Sequence, residues 1–197
     1  MLMDTSRIHL KHINAMKKLI ISLFALIAVS FSANAQFYVG GLVGLSLTAP
    51  KNSTAFAFQA SPEIGYNFSD RFAAGASLNL LPAVTSTDGD SSGTFAWNIQ
   101  PYARFKFVNI GKLKLFGDAA VELGTVGSSF KSEGVTVKSK NSFMWSVGFL
   151  PGISYDFTPN WSVVTRIAGI SYGGTKNNNT FNLNIFSTVA LGVYYSF

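Results

Sequence analysis

Cysteine is absent from the 197-residue sequence, and histidine is nearly absent. Without cysteine the chain can form neither a disulfide framework nor a cysteine-based metal site. The two histidines, His9 and His12, both lie at the extreme N-terminus. Because histidine is the usual general acid or base near neutral pH, the rest of the sequence offers no obvious partner to activate a Ser or Asp nucleophile. We therefore expect no catalytic residue, no metal site and no cofactor.

Charged residues are also scarce. They make up 12% of the sequence, against 48% hydrophobic and 14% aromatic residues, and a soluble domain usually has about twice that charged share. The net charge of +6 divides evenly between two parts of the chain. Residues 1–35 carry four basic residues and one acidic residue, and residues 36–197 carry eleven basic and eight acidic residues. The basic residues are scattered singly, so we do not expect nucleic acid as a partner. A surface with so few charges is either covered or does not face water.

An export signal is indicated near the N-terminus. Met16-Lys17-Lys18 supplies a positive region, Leu19–Phe31 an apolar run, and Ser32–Gln36 an A-x-A cleavage site. The apolar run is shorter than the ~20 residues that a membrane-spanning helix needs. We predict cleavage after Ala35, which makes residues 1–35 an N-terminal extension plus signal peptide. The sequence leaves open whether translation starts at Met1 or at Met16.

From residue 36 onward, apolar residues alternate with small or polar ones, which is the period of a β-strand. Short turns at 69–70, 109–112 and 158–160 alternate with longer polar loops at 49–54, 84–93, 127–140 and 173–180. This layout is typical of outer-membrane barrels. It predicts an all-β domain over 36–197, an eight-stranded antiparallel up-and-down transmembrane β-barrel. The predicted strands are 36–48, 55–68, 71–83, 94–108, 113–126, 141–157, 161–172 and 181–197.

Two kinds of barrel fit this alternation, a soluble one with an apolar lining and a membrane one with an apolar exterior. The less apolar face consists mainly of Gly, Ala, Ser, Thr and Asn, which suits a narrow interior better than a solvated exterior. Aromatic residues are concentrated near both ends of the apolar face. From Trp97 to Phe107 a strand tilted by ~40° covers about 25 Å of membrane normal, the height of an outer-membrane apolar band. The membrane barrel is favoured.

The sequence resembles the small eight-stranded outer-membrane β-barrels of Gram-negative bacteria, of the outer-membrane protein A type. The resemblance covers residues 36–197 and is carried by the signal peptide, the aromatic girdles and a last strand with Val193, Tyr195 and Phe197 on one face. It implies location in the outer membrane and contact with its lipid. It also implies that the barrel-assembly machinery reads this C-terminal strand as an assembly signal.

Charged residues on the inward face are balanced in sign. Because an isolated buried ion is very costly, balanced inward charges predict ion pairs. We expect Arg104 to lie almost opposite Asp118 across the 109–112 hairpin, within an ionic cluster that fills the lumen. The alternative is a charged lining for a narrow pore. The predicted cluster is Glu63, Arg104, Asp118, Glu122 and Arg166, with Lys106, Lys114 and Asp156 as the other inward charges.

The favoured function is a non-catalytic membrane barrel that contributes to envelope structure or surface presentation. The alternative is a porin-like narrow pore, or a carrier for small molecules, hydrophobic ones included, across the outer membrane. Eight strands enclose little more than side chains, but small inward residues would keep a thin water path open. The sequence does not identify a ligand, a surface partner or an oligomeric state. The small residues predicted to point inward are Gly65, Gly75, Gly117, Gly148, Gly152 and Gly192.

Overall fold

The computed structural model describes residues 37–49, 51–87, 90–132, 135–176 and 178–197, with the backbone alone described for 184–189. The predicted signal peptide, with its cleavage site after Ala35, lies outside the described residues. No helix in these ranges is long and apolar enough to cross a membrane. The strands are β1 Phe37–Thr48, β2 Ser53–Asn67, β3 Phe72–Thr87, β4 Asp90–Ile110, β5 Leu113–Ser132, β6 Val135–Lys138, β7 Ser142–Asp156, β8 Trp161–Thr175 and β9 Asn178–Ser196.

Eight of these strands form a closed antiparallel barrel. From β1 to β5 each strand pairs with the next, β5 then pairs with β7, and β7, β8 and β9 continue the sheet. Pairing of β1 with β9 closes the barrel. The remaining strand, β6, pairs with the end of β5 in a short hairpin. The predicted eight-stranded antiparallel barrel is confirmed.

The strands are longer than predicted at one end of the barrel. The predicted loop 84–93 is mostly strand, since β3 and β4 pair as far as Thr87 and Asp90. The predicted loop 127–140 contains the β5–β6 hairpin, and β8 and β9 enter the predicted loop 173–180. These predictions were wrong because hairpin arms beyond the apolar band can pair as strands without apolar alternation.

The short turns lie at the opposite end. Gly111 turns the chain between β4 and β5 with a φ of 59°, a conformation that glycine adopts without strain. The Ser69 hydroxyl accepts the backbone N–H of Phe72 at 3.0 Å, and the Thr158 hydroxyl accepts that of Trp161 at 2.9 Å. Below, "turn end" means the end with these turns, and "loop end" means the end with the long hairpins.

The outer surface of the barrel is apolar. On β9, Leu191 and Val193 are exposed while Ala190 and Tyr194 are buried. Aromatic rings contact one another on this surface near the turn end, such as Trp161 with Tyr195 at 5.0 Å between centroids. In water such a surface would be strongly unfavourable, whereas lipid chains solvate it. The exterior is therefore the lipid-facing side, as the alternation predicted.

Candidate functional site

Four charged side chains meet in the middle of the barrel. They come from four strands: Glu63 from β2, Arg104 from β4, Asp118 from β5 and Arg166 from β8. Arg104 and Asp118 are directly paired across β4 and β5. A bulge at residue 107 shifts this register; without it, Arg104 would pair with the exposed Ala119. The structure therefore places Arg104 and Asp118 where the sequence predicted.

The four groups form a closed ring, which we call the ionic ring. Arg104 donates Nε–H to Asp118 Oδ1 at 2.7 Å and Nη2–H to Oδ2 at 2.9 Å, a bidentate geometry that is among the strongest that side chains form. Arg104 Nη2 also donates to Glu63 at 3.3 Å. Arg166 Nη2 donates to both acids, at 3.0 Å to Glu63 and 2.9 Å to Asp118. Each carboxylate thus contacts both guanidinium groups, and the formal charges sum to zero.

The ionic ring is almost completely buried. The side chains of Glu63 and Asp118 are 0% exposed, and that of Arg104 is 6% exposed. The Tyr102 hydroxyl donates to Glu63 Oε1 at 2.5 Å and lies 2.5 Å from the Tyr38 hydroxyl. Since every carboxylate is paired and hydrogen-bonded, the charges can persist away from water.

Aromatic rings fill the rest of this cross-section. The Arg104 guanidinium carbon lies 4.2 Å from the centroid of Phe116 and 5.0 Å from that of Tyr102, within cation–π range. Tyr38 and Tyr194 pack beside them, with centroids 6.1 Å apart. Side chains therefore fill the middle of the lumen.

Each of these four rings lies over a glycine on the neighbouring strand. The register pairs are Tyr38 with Gly65, Tyr102 with Gly75, Phe116 with Gly152 and Tyr194 with Gly40. A Cβ at Gly40 would lie 2.6 Å from the Tyr194 ring, and one at Gly75 would lie 2.6 Å from Tyr102 Cζ. The glycines make room for aromatic rings, so they do not leave the water path that small residues suggested.

One of the glycines predicted to point inward lies on the outer face. Gly117 precedes the inward Asp118, and a Cβ there would collide with the exposed Phe149 ring. The prediction for Gly117 was wrong because glycine has no side chain whose polarity could report its face.

Glu122 does not join the ionic ring. It accepts a hydrogen bond from Gln100 Nε2 at 2.7 Å, in a polar layer on the loop side of the ring. In the same layer Asn79 donates to Asn98 at 2.7 Å, and Ser77 donates to Gln100 at 3.2 Å. Glu122 lies farther toward the loop end of β5 than Asp118, so its carboxylate bonds to the Gln100 amide and not to the arginines. The predicted cluster therefore divides into a ring of four and a separate carboxylate.

Cavities lie on both sides of the ionic ring. On the loop side, a cavity of about 290 Å³ is lined in part by Leu42, Gln59, Glu122 and Leu150. A second one of about 250 Å³ shares Gln100 and Glu122 with it. On the turn side the cavity is about 60 Å³. The ring thus separates two spaces within the lumen.

The remaining inward charges lie toward the turn end. Lys114 forms an ion pair with Asp156, and Lys106 donates to Asn67 Oδ1 at 2.9 Å. Lys114 and Asp156 are about a quarter exposed, so breaking this pair should cost less than breaking a pair in the buried ring.

The four inward rings are what sequence reasoning missed. Alternation places Tyr102 on the same face as Arg104, and the glycine opposite each ring is the signal that could have revealed them.

In the described ranges, no group of three or more His, Cys, Asp or Glu side chains could hold a metal ion. The arrangement of the interior binds strands together and blocks the lumen.

Comparison with known proteins agrees with this architecture. A family model for the outer membrane protein beta-barrel domain matches residues 19–197. Neisserial surface protein A has a similar structure, with a TM-score of 0.57 at 19% identity, over 84% of this chain and 100% of that chain. The N-terminal β-barrel domain of Pseudomonas aeruginosa OprF has a TM-score of 0.49 at 14% identity, over 84% of this chain and 100% of that chain. The sequence matches no curated protein.

Proposed function

Since the chain belongs to the family of outer membrane protein beta-barrel domains and lies in the outer membrane of a Gram-negative cell, we propose that it is a non-catalytic barrel contributing to envelope structure and surface presentation. In this role the barrel is a closed anchor. It holds the β3–β4, β5–β6 and β8–β9 hairpins at the loop end, which faces outward in barrels of this kind.

The observation that carries this proposal is the blocked lumen. Glu63, Arg104, Asp118 and Arg166 are hydrogen-bonded to one another, and four aromatic rings pack around them. A solute can pass only if charges that are paired and buried separate, which is costly. A protein built for transport would be expected to keep this cross-section open.

Single-channel recording tests the proposal. We expect planar bilayers containing the refolded barrel to show no sustained conductance above the bare bilayer at neutral pH. The comparison sample is a heat-unfolded preparation of the same protein, which controls for detergent leakage. Sustained, reproducible channels from the folded barrel would contradict the closed-anchor function.

The cavities on the loop side favour a second candidate, a carrier of small molecules. The larger cavity, of about 290 Å³, combines Leu42 and Leu150 with polar groups such as Gln59, a mixture typical of small-ligand sites. In a carrier, Glu122→Leu would change uptake of a test solute into intact cells. In a closed anchor, uptake by wild type and variant would be equal to that of cells lacking the protein.

We also propose that β9 acts as the assembly signal. Val193 lies exposed on the outer face of β9 and Tyr195 lies on the same side, in ring contact with Trp161; Phe197 follows the strand. An apolar strand face is what an insertion machinery can contact before the barrel closes. The assignment of this role rests on the resemblance to outer-membrane barrels.

A further inference from the structure

A groove crosses the outer surface of the barrel near the loop end, where β3, β4, β5 and the segment 138–141 come together. Its volume is about 380 Å³. The floor includes Val84, Phe95 and Trp97, which are 49%, 52% and 39% exposed. A concave apolar surface on the lipid-facing side of a barrel can hold a hydrocarbon chain. We call it the lipid groove.

Two glycines keep the lipid groove open. Gly127 pairs directly with Phe95, and Gly93 pairs with Ser129, so both lie on the outer face with those residues. A side chain at Gly127 would run into the Asn141 amide, and one at Gly93 would lie 2.9 Å from the Ser129 hydroxyl. Larger residues at either position would fill the depression.

Lys138 lies at the upper edge of the lipid groove. It pairs with Ser129 across β5 and β6, which directs its side chain to the outer face. Ser139 fixes the chain next to it, donating its N–H to the Ser128 carbonyl at 2.8 Å and accepting the Ser128 N–H on its hydroxyl at 3.0 Å. The ion pairs formed among the described residues do not include Lys138.

The depth of Lys138 matches that of lipid headgroups. Its partner Ser129 lies two residues beyond Gly127, which is level with Phe95. Two residues correspond to about 7 Å along a strand and roughly 5 Å of membrane normal at the usual tilt. The ammonium group is therefore placed just above the aromatic girdle, where anionic headgroups attract lysine.

We propose that the lipid groove binds a phosphate-bearing lipid of the outer leaflet. One acyl chain lies over Val84, Phe95 and Trp97, and the phosphate pairs with Lys138. Lys131 shares the outer face of the same hairpin and adds to the positive potential there. This proposal requires the outer-membrane location but does not depend on the closed-anchor function.

A lysine at this depth would also be found if it served simply as an interfacial anchor that keeps its charge in the headgroup region. The two roles differ in what they require. An anchor contacts many lipids in turn and needs no groove, whereas a binding site retains one lipid through both its phosphate and its chain.

Native mass spectrometry of the barrel purified from outer membranes separates these roles. The probes are lipid A carrying both phosphates, the same lipid with its phosphates removed, and its deacylated phosphorylated saccharide. We expect one lipid A per barrel on the wild type and retention about tenfold lower for Lys138→Gln. Gly127→Leu, which fills the lipid groove but keeps the lysine, should reduce retention similarly.

Lys176→Gln is the matched control, because Lys176 is also exposed near the loop end but is not part of the lipid groove. It should retain lipid A as the wild type does. The gel mobility of unheated samples verifies that every variant is folded. Equal retention by Lys138→Gln and wild type would overturn the proposal. So would equal retention of the dephosphorylated lipid, or of the saccharide without acyl chains.

Discussion

At the scale of single residues, each charge of the ionic ring is stabilised by two partners of opposite charge. Asp118 accepts hydrogen bonds from both Arg104 and Arg166, and Glu63 does the same. Loss of one arginine therefore leaves two buried acids with one base. Loss of an acid and a base together leaves a matched pair. This difference makes the energetics of the ionic ring measurable.

Arg104→Met should destabilise the barrel by about 3–5 kcal/mol, because it leaves buried carboxylate charge uncompensated. Asp118→Leu should do the same by leaving two arginines with Glu63. The double variant should recover most of the loss, since Glu63 and Arg166 remain paired at 3.0 Å. Urea unfolding of the refolded barrel in lipid, read as a double-mutant cycle, measures the coupling.

The control for this cycle is Lys114→Met at the partly exposed Lys114–Asp156 pair. Solvent screens that pair, so the loss should be within about 1 kcal/mol. Additive effects of Arg104→Met and Asp118→Leu would show that the two residues do not interact in solution.

The glycines beneath the inward rings give a second prediction at this scale. Gly75→Ala should destabilise the barrel by about 1–3 kcal/mol, the usual cost of overpacking. The added Cβ would lie 2.7 Å from the Ile64 carbonyl oxygen and 2.6 Å from Tyr102 Cζ. Urea unfolding measures the loss.

Gly44→Ala is the matched variant, because Gly44 also lies within a barrel strand but its Cβ would meet its nearest neighbours at 3.5 Å. That is ordinary van der Waals contact, and the change should be close to neutral. If both variants lose equal stability, the ring-over-glycine packing is not the cause.

At the scale of strands, alternation was enough to predict the eight barrel strands and, except at Gly117, which side of the barrel their residues face, because the bilayer demands an apolar exterior over a fixed height. That Arg104 lies nearly opposite Asp118 was predictable because both lie close to the same turn. Their direct pairing depends on the bulge at residue 107, which alternation does not reveal. Arg166 was expected in the same cluster from its inward position, but its individual hydrogen bonds to Glu63 and Asp118 were not predictable, since β8 is distant in sequence and a register shift follows Arg166 in its pairing with β9. The hairpin arms were missed because no bilayer imposes a pattern on them.

The proposed assembly role of β9 gives a prediction for this scale. Phe197→Ala should lower the amount of protein in the outer membrane several-fold, because the insertion machinery would recognise the strand less well. The unfolding free energy of refolded protein should change by less than about 1 kcal/mol, since Phe197 follows the last strand and is only partly buried. Quantitative immunoblotting of membrane fractions measures the first effect.

Phe157→Ala is the control for assembly, because Phe157 is an exposed aromatic residue at the turn end outside β9. It should reach the membrane at the normal level. If Phe197→Ala reached the membrane at the normal level, Phe197 would not be part of the assembly signal.

At the scale of the whole barrel, stability and closure depend on the same side chains. Arg104→Ala removes a long charged side chain from the blocked cross-section, which also contains Tyr102 and Phe116. If the ring is mainly structural, this variant should unfold at a lower urea concentration and conduct only briefly. Recording conductance and unfolding on the same preparation tests this. A large sustained conductance with unchanged stability would indicate a gated pore.

The long sequence distance across the ionic ring also has a consequence for the order of folding. Glu63 and Arg166 are 103 residues apart, so their contact can form only after β8 has reached the far side of the growing sheet. Contacts at such separation form late and slow the overall rate. A strand that docked one residue out of register would turn its charges toward hydrocarbon. An intermediate with a misaligned strand would therefore leave the charges of the ionic ring unpaired. Its free energy would be highest at the last step, when water leaves the interior and the first and last strands meet.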